Sequence, residues 1–408
     1  MPKFCLAAVL LSVFFVAPKL HAEWPGWRGP TGQGFCEEKI PHTWNGKDGT
    51  NIKWKIPLDL PGNSTPVIWG DKIFLTQANK GGTIRSTLCF SRLDGKKLWQ
   101  QDVPYEQKER NWNENWYCNA SPAVDGERVV VSYASAGMVC YDHDGKPLWN
   151  RSDLGHWEHE YGNSSSPVIY QDTVILWCGP NKNGRNFLLA VDKKTGKTVW
   201  ERDEKGGSWG TPLITKIEGK DQLLLGMPKK LKGFDPATGD ELWYCDGLTD
   251  LVYTSALFGN GVAVSMSGYT GAAIAVKLGG TGDITANRLW QHPKNIQRVG
   301  SGMIIGDHVY MVEENTIPHC YELATGKEVW EVANRPGGTT WGSMLHAQGK
   351  LFIPLRNGDT LVLAANPKYE VLGVNSLGGG QQTNSSLAVS HGEIYFRTFS
   401  HLWCIGEM

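Results

Sequence analysis

A short unit that ends in tryptophan recurs along the chain and constrains its fold more than any other feature. The clearest copy is AVDKKTGKTVW, residues 190–200, which reads as two short strands joined by a tight turn. Asp192 is expected to fold its carboxylate back onto the turn backbone, and Gly196 to supply the positive φ that the turn requires. Four variants keep a glycine four residues before the tryptophan, at Trp99, Trp149, Trp243 and Trp330. A fixed unit of this length indicates a repeat architecture.

The spacing of the strands predicts eight units. Eight short second strands, rich in β-branched and aromatic residues and bounded by turn residues, can be aligned: DKIFLT, ERVVVSY, DTVILW, DQLLLG, GVAVSM, DHVYMV, GKLFIP and GEIYFR. Fourth strands fall at Trp54, Trp99, Trp149, Trp200, Trp243, Trp290, Trp330 and Val371. The strand at Trp54 precedes the first complete set, and no fourth strand follows the last set near Cys404. We expect the strand at Trp54 to complete the last unit, because a closed ring leaves no exposed sheet edges.

The predicted fold class is therefore all-β, an eight-bladed β-propeller of four-stranded antiparallel blades over residues 51–408. A repeat array adds core unit by unit, so 408 residues can form one such body. Seven blades with one degenerate unit is the alternative. Residues 23–50 are rich in glycine, proline and tryptophan without a period, and we interpret them as an arm that lies across the ring.

The N-terminus predicts export. Residues 1–22 contain Lys3, an apolar run over residues 6–16 and a small residue at Ala22, as in a cleavable signal peptide. A retained anchor is the alternative, but the apolar run is short for a membrane span. We expect a periplasmic or secreted protein without a membrane span. The formal net charge of -1 argues against nucleic acid or anionic lipid as partner.

The cysteines are predicted to be mostly free thiols. Cys89, Cys140, Cys320 and Cys404 share one third-strand position, where other units carry alanine or glycine. We expect a small residue there because the next blade packs on it, and equivalent points on different blades lie too far apart for a disulfide. A bridge among the remaining cysteines stays open: Cys36, Cys118, Cys178 and Cys245.

The unit AVDKKTGKTVW resembles the tryptophan-docking repeat of the quinoprotein β-propellers at every position of its pattern. That superfamily contains dehydrogenases that use pyrroloquinoline quinone (PQQ), and non-catalytic propellers such as the outer-membrane assembly lipoprotein of the BamB type. In size the chain is similar to the BamB type. It lacks a lipid-attachment cysteine, since Cys5 lies within the apolar run and away from its cleavage end.

A candidate site is predicted where the loops enter the innermost strands. The last position before each strand reads Thr65, Ser121, Ser166, Thr211, Ser255, Gly302, Ser343 and Ser386. These hydroxyls would either form a polar ring at the mouth of an axial channel or satisfy backbone groups at crowded strand starts. Two positions earlier the residues vary, as a recognition surface requires: Asn63, Asn119, Ser164, Trp209, Tyr253, Gly300, Trp341 and Asn384.

From these positions and the neighbouring loops we select candidate ligand-binding residues: Trp116, Asn119, His159, Trp209, Tyr253, Arg298, Trp341 and Asn384. Trp209 and Trp341 lie in the matching phrases SWGTP and TWGSM, and are expected to be aromatic platforms or caps on the core. The loop GHWEHEYG could hold a metal through its histidines and glutamates, but its irregular spacing favours a solvated loop. We therefore expect no metal site.

The resemblance also implies what a dehydrogenase would need. The quinone would rest on a tryptophan floor beneath a disulfide of adjacent cysteines, with calcium held by Glu, Asn and Asp and an Asp as base. No two cysteines are adjacent in this sequence, and Asp153, Glu158 and Asp250 are loop acids without evident partners. Motifs of hydrolases and of phosphate-binding loops are absent as well. We therefore predict no catalytic residues and no cofactor.

The leading hypothesis is an exported, non-catalytic binding or scaffold protein of the BamB type. Its loop face would bind a protein or peptide of the cell envelope, or a small ligand. A PQQ-dependent alcohol or sugar dehydrogenase with calcium is the alternative. Carbohydrate binding is a third possibility, because Trp116, Trp209 and Trp341 with nearby amides suit sugar faces and hydroxyls.

Overall fold

The protein is described by a computed structural model that covers residues 23–112, 114–269, 271–294, 299–332 and 336–407. The predicted signal peptide, residues 1–22, lies outside these ranges. The described chain is almost entirely β, with two short 3-10 turns at Ala134–Ala136 and Thr285–Asn287. In this part of the chain no helix is long and apolar enough to cross a membrane.

Eight sheets follow one another around a ring, and in all but the last the strands of the blade run from the axis outward in chain order. Blade 1 consists of Val67–Trp69, Lys72–Ala78, Ile84–Ser91 and Lys97–Pro104, and blade 2 of Ala123–Val124, Val129–Ser132, Met138–Tyr141 and Pro147–Arg151. Blade 3 consists of Val168–Tyr170, Thr173–Cys178, Phe187–Asp192 and Thr198–Asp203, and blade 4 of Leu213–Ile217, Lys220–Met227, Lys230–Phe234 and Glu241–Asp246. Blade 5 consists of Leu257–Gly259, Val262–Met266, Ala273–Lys277 and Arg288–His292, and blade 6 of Met303–Ile305, His308–Val312 and Pro318–Glu322. Blade 7 consists of Leu345–Ala347, Lys350–Pro354, Thr360–Ala364 and Val371–Asn375, and blade 8 of Ala388–Ser390, Glu393–Arg397, His401–Ile405 and Ile52–Pro57.

Three blades depart from the four-strand pattern. In blade 6 the fourth position is held by the segment before Trp330, where Glu328 forms a single bridge to Tyr321. Blade 4 gains a parallel strand, Gly282–Asp283, and blade 7 gains another, Phe35–Cys36.

The two ends of the chain share one sheet. Ile52–Pro57 pairs with His401–Ile405, and Trp54 lies opposite Cys404. Lys53 and Arg92 both form ion pairs with Glu393, at 2.5 and 2.9 Å. These pairs tie the strand Ile52–Pro57 and blade 1 to the second strand of blade 8. The predicted eight blades and their closure are confirmed, and the seven-blade alternative is excluded.

The repeat turn has the geometry that its residues predict. The backbone N–H and the hydroxyl of Thr195 donate to Asp192 Oδ1 at 2.8 and 2.7 Å. These bonds, led by that from the hydroxyl, lower the pKa of the Asp192 carboxyl. Gly196 has φ +71°, and a Cβ there would lie 2.8 Å from the ring of Trp149. The glycine is thus needed both for the turn and for the approach of the tryptophan from the preceding blade.

Six of the fourth-strand tryptophans dock on the turn of the next blade. Trp149 Nε1 donates to the carbonyl of Lys193 at 2.9 Å. The same kind of bond is made by Trp54, Trp99, Trp200, Trp290 and Trp330. Trp243 is the exception and donates to Gln222 in its own blade, because blade 5 has a different turn before Trp290.

The eight cysteines of the described chain are all buried and free, including the four for which a bridge was left open.

The small residue of the third strand was expected to make room for the next blade, and this explanation needs correction. Cys89, for example, pairs across the strands with Trp99 of its own blade. At the equivalent Gly233 a Cβ would lie 2.2 Å from Trp243. The position is therefore small because the tryptophan of the same blade lies over it.

The junction between blades 7 and 8 is sealed by the arm. Gly373 stands opposite Val362, in the register that the docking tryptophan holds elsewhere. Trp44 of the arm is only 3% exposed and stacks on Phe352 with ring centroids 6.2 Å apart. Its backbone N–H donates to Asn375 Oδ1 at 3.1 Å. A side chain from outside the blade thus packs at this junction, while the space directly in front of Gly373 stays open.

Candidate functional site

The ring has two different faces. On one, which we name the arm face, residues 24–46 cross from blade 1 to blade 7. Trp24 pairs with Ile68 of blade 1, and the carbonyl of Pro25 accepts a bond from Val124 of blade 2. Further along, the Gln33 amide oxygen accepts from the backbone of blade 5 at 2.8 Å. Trp27 lies at this end of the axial channel and contributes to its lining.

A closed belt of hydroxyl groups surrounds the channel. In it, a backbone N–H of one blade donates to a hydroxyl oxygen of the next blade. The donor and acceptor pairs are Thr65 to Ser121, Ser121 to Ser166, Ser166 to Thr211, Ser255 to Ser301, Ser301 to Ser343, Ser343 to Ser386 and Ser386 to Thr65. Between blades 4 and 5 the roles are exchanged: the Ser255 hydroxyl donates to the backbone carbonyl of Thr211 at 2.8 Å.

Two conclusions follow from this hydroxyl belt. The hydroxyls satisfy backbone groups, and several of them also line the channel, so both interpretations of the pattern hold. In blade 6 the residue in the belt is Ser301, and the assignment of Gly302 was wrong by one position. The variable position of that blade is accordingly Val299 in place of Gly300.

Opposite the arm, the channel opens into a larger depression. The channel has a cavity volume of about 110 Å³, and the depression above it has a cavity volume of about 330 Å³. We name the depression the aromatic cleft. Its lining residues are Trp112, Asn115, Tyr161, Ser164, Trp209, Tyr253, Tyr269, Val299, Glu314 and Trp341. Since Trp209, Tyr253 and Trp341 line both spaces, cleft and channel are continuous.

Trp209 forms the buried wall of the cleft. It is 5% exposed, and its Nε1 donates to the Gly162 carbonyl at 2.8 Å. Tyr253 lies over it with ring centroids 4.7 Å apart, and His159 meets it edge-on at 4.8 Å. Burial lowers the pKa of His159 and favours its neutral form. Trp209 is thus covered by its neighbours, with His159 as part of that packing.

Trp341 belongs to a polar network at the other wall. Its Nε1 donates to Glu314 at 2.7 Å, and the Arg356 guanidinium lies 4.2 Å from its ring centroid. Arg356 also donates to Asn384 Oδ1 at 3.1 Å and forms an ion pair with Glu114. Because every charged group of this network has a partner, the wall is held in one arrangement.

Two aromatic residues remain largely exposed at the rim. Trp112 is 52% exposed and Tyr269 is 56% exposed. Tyr161 links the rim to the interior, with its ring 5.9 Å from Trp112 and 6.2 Å from Trp209. Tyr269 has φ +56°, a conformation that a bulky residue rarely adopts and that carries a cost in backbone strain.

The asparagines at the base of the site join neighbouring loops. Asn63 donates to Asn119 Oδ1 at 2.9 Å, and Asn119 donates to the Asn163 carbonyl at the same distance. Asn384 donates to the Glu114 carbonyl at 3.3 Å. Asn119 and Asn384 both line the channel. They hold the entrance in shape and present polar atoms to it.

The remaining selected residues lie elsewhere. Trp116 packs edge-on against Phe399 at 5.8 Å and is not part of either lining. Arg298 lies outside the described residues. The loop acids have partners after all: Asp153 pairs with Arg151, Asp250 with Lys229 and Glu158 with Arg110. The described part of the chain contains no group of three or more His, Cys, Asp or Glu residues suited to a metal ion.

Sequence reasoning missed Tyr269, Glu314 and Arg356. All three lie in turns between second and third strands, whereas the search followed only the loops between blades. In an antiparallel blade successive turns alternate between the two faces. The second-to-third turns therefore reach the same face as the loops between blades, and this alternation was the available signal.

The residues described here do not fit a quinone with a metal ion as the resemblance implies it. Trp209 is the residue that would match the tryptophan floor, and its face is occupied by Tyr253. The cysteines of the described chain are all free. The carboxylates near the cleft, Glu114 and Glu314, are engaged by Arg356 and Trp341. The donor set consists mainly of hydroxyls, amides and aromatic rings.

Comparison with known proteins gives two groups of similar chains. The profile of a family described as outer membrane protein assembly factor BamB matches residues 85–332. The 1-butanol dehydrogenase (quinone) of Thauera butanivorans is 27% identical over 162 residues, which cover 36% of this chain and 25% of that protein. The match thus spans only a quarter of the length of this relative.

Solved structures of both groups share the fold. BamB from Moraxella catarrhalis gives a TM-score of 0.62 at 14% identity, covering 86% of this chain and 96% of that one. The quinohemoprotein alcohol dehydrogenase of Comamonas testosteroni gives a TM-score of 0.67 at 12% identity, covering 94% of this chain and 80% of that one. At such identities the likeness shows the fold alone.

Proposed function

Because the chain belongs to the PQQ-like repeat β-propeller family described as outer membrane protein assembly factor BamB, we propose that it is an exported, non-catalytic binding protein. Its partner, a protein or peptide of the cell envelope or a small ligand, enters through the aromatic cleft. The fold by itself does not carry this function.

The observation that carries the proposal is the contrast within the cleft between exposed rings and engaged charges. Trp112 and Tyr269 present more than half of their surface, and exposed aromatic groups around a concavity are typical of binding sites. Glu114 and Glu314 are held by Arg356 and Trp341. A base or a metal ligand must be available to the reacting group, and these carboxylates are committed to the wall.

The proposal is tested by capture of partners from a cell-envelope extract. The mature protein serves as bait beside the double variant Trp112→Ala/Tyr269→Ala. The matched control is Leu148→Ala/Val199→Ala, which removes exposed apolar side chains from outer strands. We expect the cleft variant to lose partners that the control retains. If both variants capture the same set as the native protein, the cleft is not the binding face.

The exported location is part of the proposal and has its own test. Sequencing of the mature N-terminus should begin at Glu23, directly after Ala22. A chain that retains Met1 in the cytoplasmic fraction would contradict export.

A quinone-dependent dehydrogenase is the second candidate, favoured by the similarity to 1-butanol dehydrogenase (quinone). The mature protein would be incubated with PQQ and calcium and passed over a gel-filtration column. Quinone absorbance that elutes with the protein, together with dye-linked oxidation of alcohols, would replace the binding proposal. A protein fraction without absorbance or oxidation would leave it in place.

A further inference from the structure

We propose that the aromatic cleft binds a neutral carbohydrate, with sugar rings stacked on the exposed aromatic rim and sugar hydroxyls directed to the polar base. The inference rests on the proposed binding function and names the ligand class for the same site.

The rim offers flat apolar faces of the kind that a sugar ring covers. The C–H groups on one side of a pyranose form an apolar patch, which packs against an aromatic ring and removes both from water. Trp112 and Tyr269 provide such faces at 52% and 56% exposure. Tyr269 is held there with φ +56°. Backbone strain of this kind persists where the surroundings enforce it and is concentrated at ligand sites.

The charge of the lining favours a neutral ligand. Among the described residues that line the cleft and the channel, Glu314 is the only one with a carboxylate or a cationic group. Its Oε1 already accepts the bond from Trp341 Nε1. An anionic ligand would lose its hydration without gaining a counter-charge from this lining, which is costly. A neutral polyol avoids that cost.

The base of the site favours hydroxyl-rich ligands over purely apolar ones. In the hydroxyl belt, Ser166 Oγ accepts a backbone N–H and retains its own proton for a second bond. Ser343 and Ser386 do the same, and all three line the channel. An aromatic side chain of a peptide would fill the cleft but offer these groups no acceptor. Sugar hydroxyls supply both donors and acceptors.

The size of the cleft is also suitable. Its cavity volume of about 330 Å³ lies at the lower end of the range of small-molecule sites, roughly 300–1,000 Å³. Its continuation into the channel gives depth below the rim. The site can therefore receive a sugar unit, and an oligosaccharide that carries it would continue along the rim.

The test measures binding of defined sugars to the mature protein. Neutral cello-, xylo-, malto- and chito-oligosaccharides are titrated by calorimetry and by tryptophan fluorescence, with oligogalacturonate as the charged comparator. We expect at least one neutral series to bind with Kd in the range of about 1 μM to 1 mM, and the charged series to bind less tightly. Tighter binding of oligogalacturonate than of every neutral series would overturn the inference.

Variants assign the binding to the rim. Trp112→Ala and Tyr269→Ala should each weaken binding about tenfold, which corresponds to about 1.4 kcal/mol. Tyr269→Phe retains the ring and should bind nearly as the native protein does. Tyr244→Ala, on the outer strand of blade 4, is the matched control and should have no effect. Urea denaturation of each variant shows that it is folded. Sugar binding that is indifferent to both rim variants would contradict the proposed site.

Failure of this inference can be separated from failure of the proposed function. If no sugar binds up to 10 mM while envelope partners are still lost by the rim variant, the carbohydrate is wrong and the binding face is right. If a peptide with an aromatic side chain competes for the cleft and no sugar does, the ligand class is a peptide. If neither sugars nor partners depend on the rim, both proposals fail.

Discussion

The two mouths of the ring are built from the same strands but covered in opposite ways. On the arm face Trp24, Ile40 and Trp44 are almost fully buried against the blades. On the cleft face Trp112 and Tyr269 remain more than half exposed. Apolar surface that is removed from water contributes to the stability of the fold, whereas exposed apolar surface is available to a ligand. The same residue types therefore serve stability on one face and recognition on the other.

The polar groups of the two faces differ in the same sense. Arg28 on the arm face is buried, and its guanidinium donates hydrogen bonds to two backbone carbonyls, those of Gln33 and Gly302. On the cleft face Arg85 is paired with Glu109, and Arg356 with Glu114. We infer that apolar burial orders the arm, and that ion pairs order the loops of the cleft.

The largest effect is expected from Trp44→Ala. The side chain fills the junction of blades 7 and 8, where Gly373 leaves no docking tryptophan. Truncation of a buried tryptophan costs about 3–5 kcal/mol through lost burial and the cavity left behind. The free energy of unfolding, measured by urea denaturation, should fall by that amount. Trp112→Ala is the matched control on the other face and should change it by less than about 0.5 kcal/mol. Equal losses would refute the division of roles between the faces.

The ring could be predicted from sequence because its determinants are local and repeated. The turn at Asp192 and Gly196 needs only a few neighbouring residues, and it recurs at a spacing that fixes the blade count. The role of Trp44 could not be predicted in this way. Its partner Asn375 lies 331 residues away, and nothing near Gly373 in the sequence indicates which segment packs at this junction.

The site was predicted less completely than the ring. Trp209, Tyr253, Trp341, Asn119 and Asn384 do converge, because equivalent positions of a closed repeat meet at one mouth. Which of them offers a free face depends on contacts between loops of different length and sequence. Tyr253 covers Trp209, and Arg356 covers Trp341. Such pairings do not repeat from blade to blade, so periodicity carries no information about them.

On the cleft face, Glu109→Gln is expected to lower the free energy of unfolding somewhat less than Trp44→Ala does. Arg85 and Glu109 have side chains that are 1% and 5% exposed, and Arg85 also packs on Tyr105 and Tyr117. Removal of the carboxylate leaves a buried charge without its partner, for which about 3 kcal/mol is expected. Proteolysis of residues 105–118 should accelerate together with the loss of stability.

The control for this variant is Glu127→Gln, since Glu127 is exposed and pairs with the neighbouring Arg128. Exposed pairs contribute little, so a change of less than about 0.5 kcal/mol is expected. If Glu109→Gln is as mild as the control, the loops of the cleft are not ordered by this ion pair.

The rate of chemical labelling of the free thiols should report on local opening of each face separately. Burial raises the pKa of Cys36 on the arm face to about 12 and that of Cys118 below the cleft to about 11. Only the thiolate reacts, so at pH 8 both should label more than about tenfold slower than in the unfolded chain. Because their pKa is raised, labelling of the folded protein should still increase between pH 9 and 10, after that of the unfolded chain has begun to level off.

Each variant should expose the thiol of its own face. Trp44→Ala is expected to accelerate labelling of Cys36 several-fold and Glu109→Gln that of Cys118, as read by mass spectrometry of the labelled peptides. If either variant accelerates both thiols equally, the two faces open together, and the separation between them is wrong.

The smallest effect is expected from Arg28→Met. The guanidinium donates through Nη2 to the carbonyls of Gln33 and Gly302, at 2.7 and 2.6 Å. Nε and Nη1 have no partner among the described residues, and burial lowers the pKa of the group. Two lost hydrogen bonds cost about 0.5–1.5 kcal/mol each, while removal of an uncompensated buried charge is favourable by a similar amount.

These opposing contributions should leave the free energy of unfolding of Arg28→Met within about 1 kcal/mol of the native value. The variant retains the length and most of the apolar volume of the arginine stem, so the packing of the arm is largely preserved. A loss as large as that expected for Trp44→Ala would mean that the guanidinium, and not apolar burial, holds the arm. The arm face would then follow the same rule as the cleft face, in which a charged group positions a segment through its hydrogen bonds.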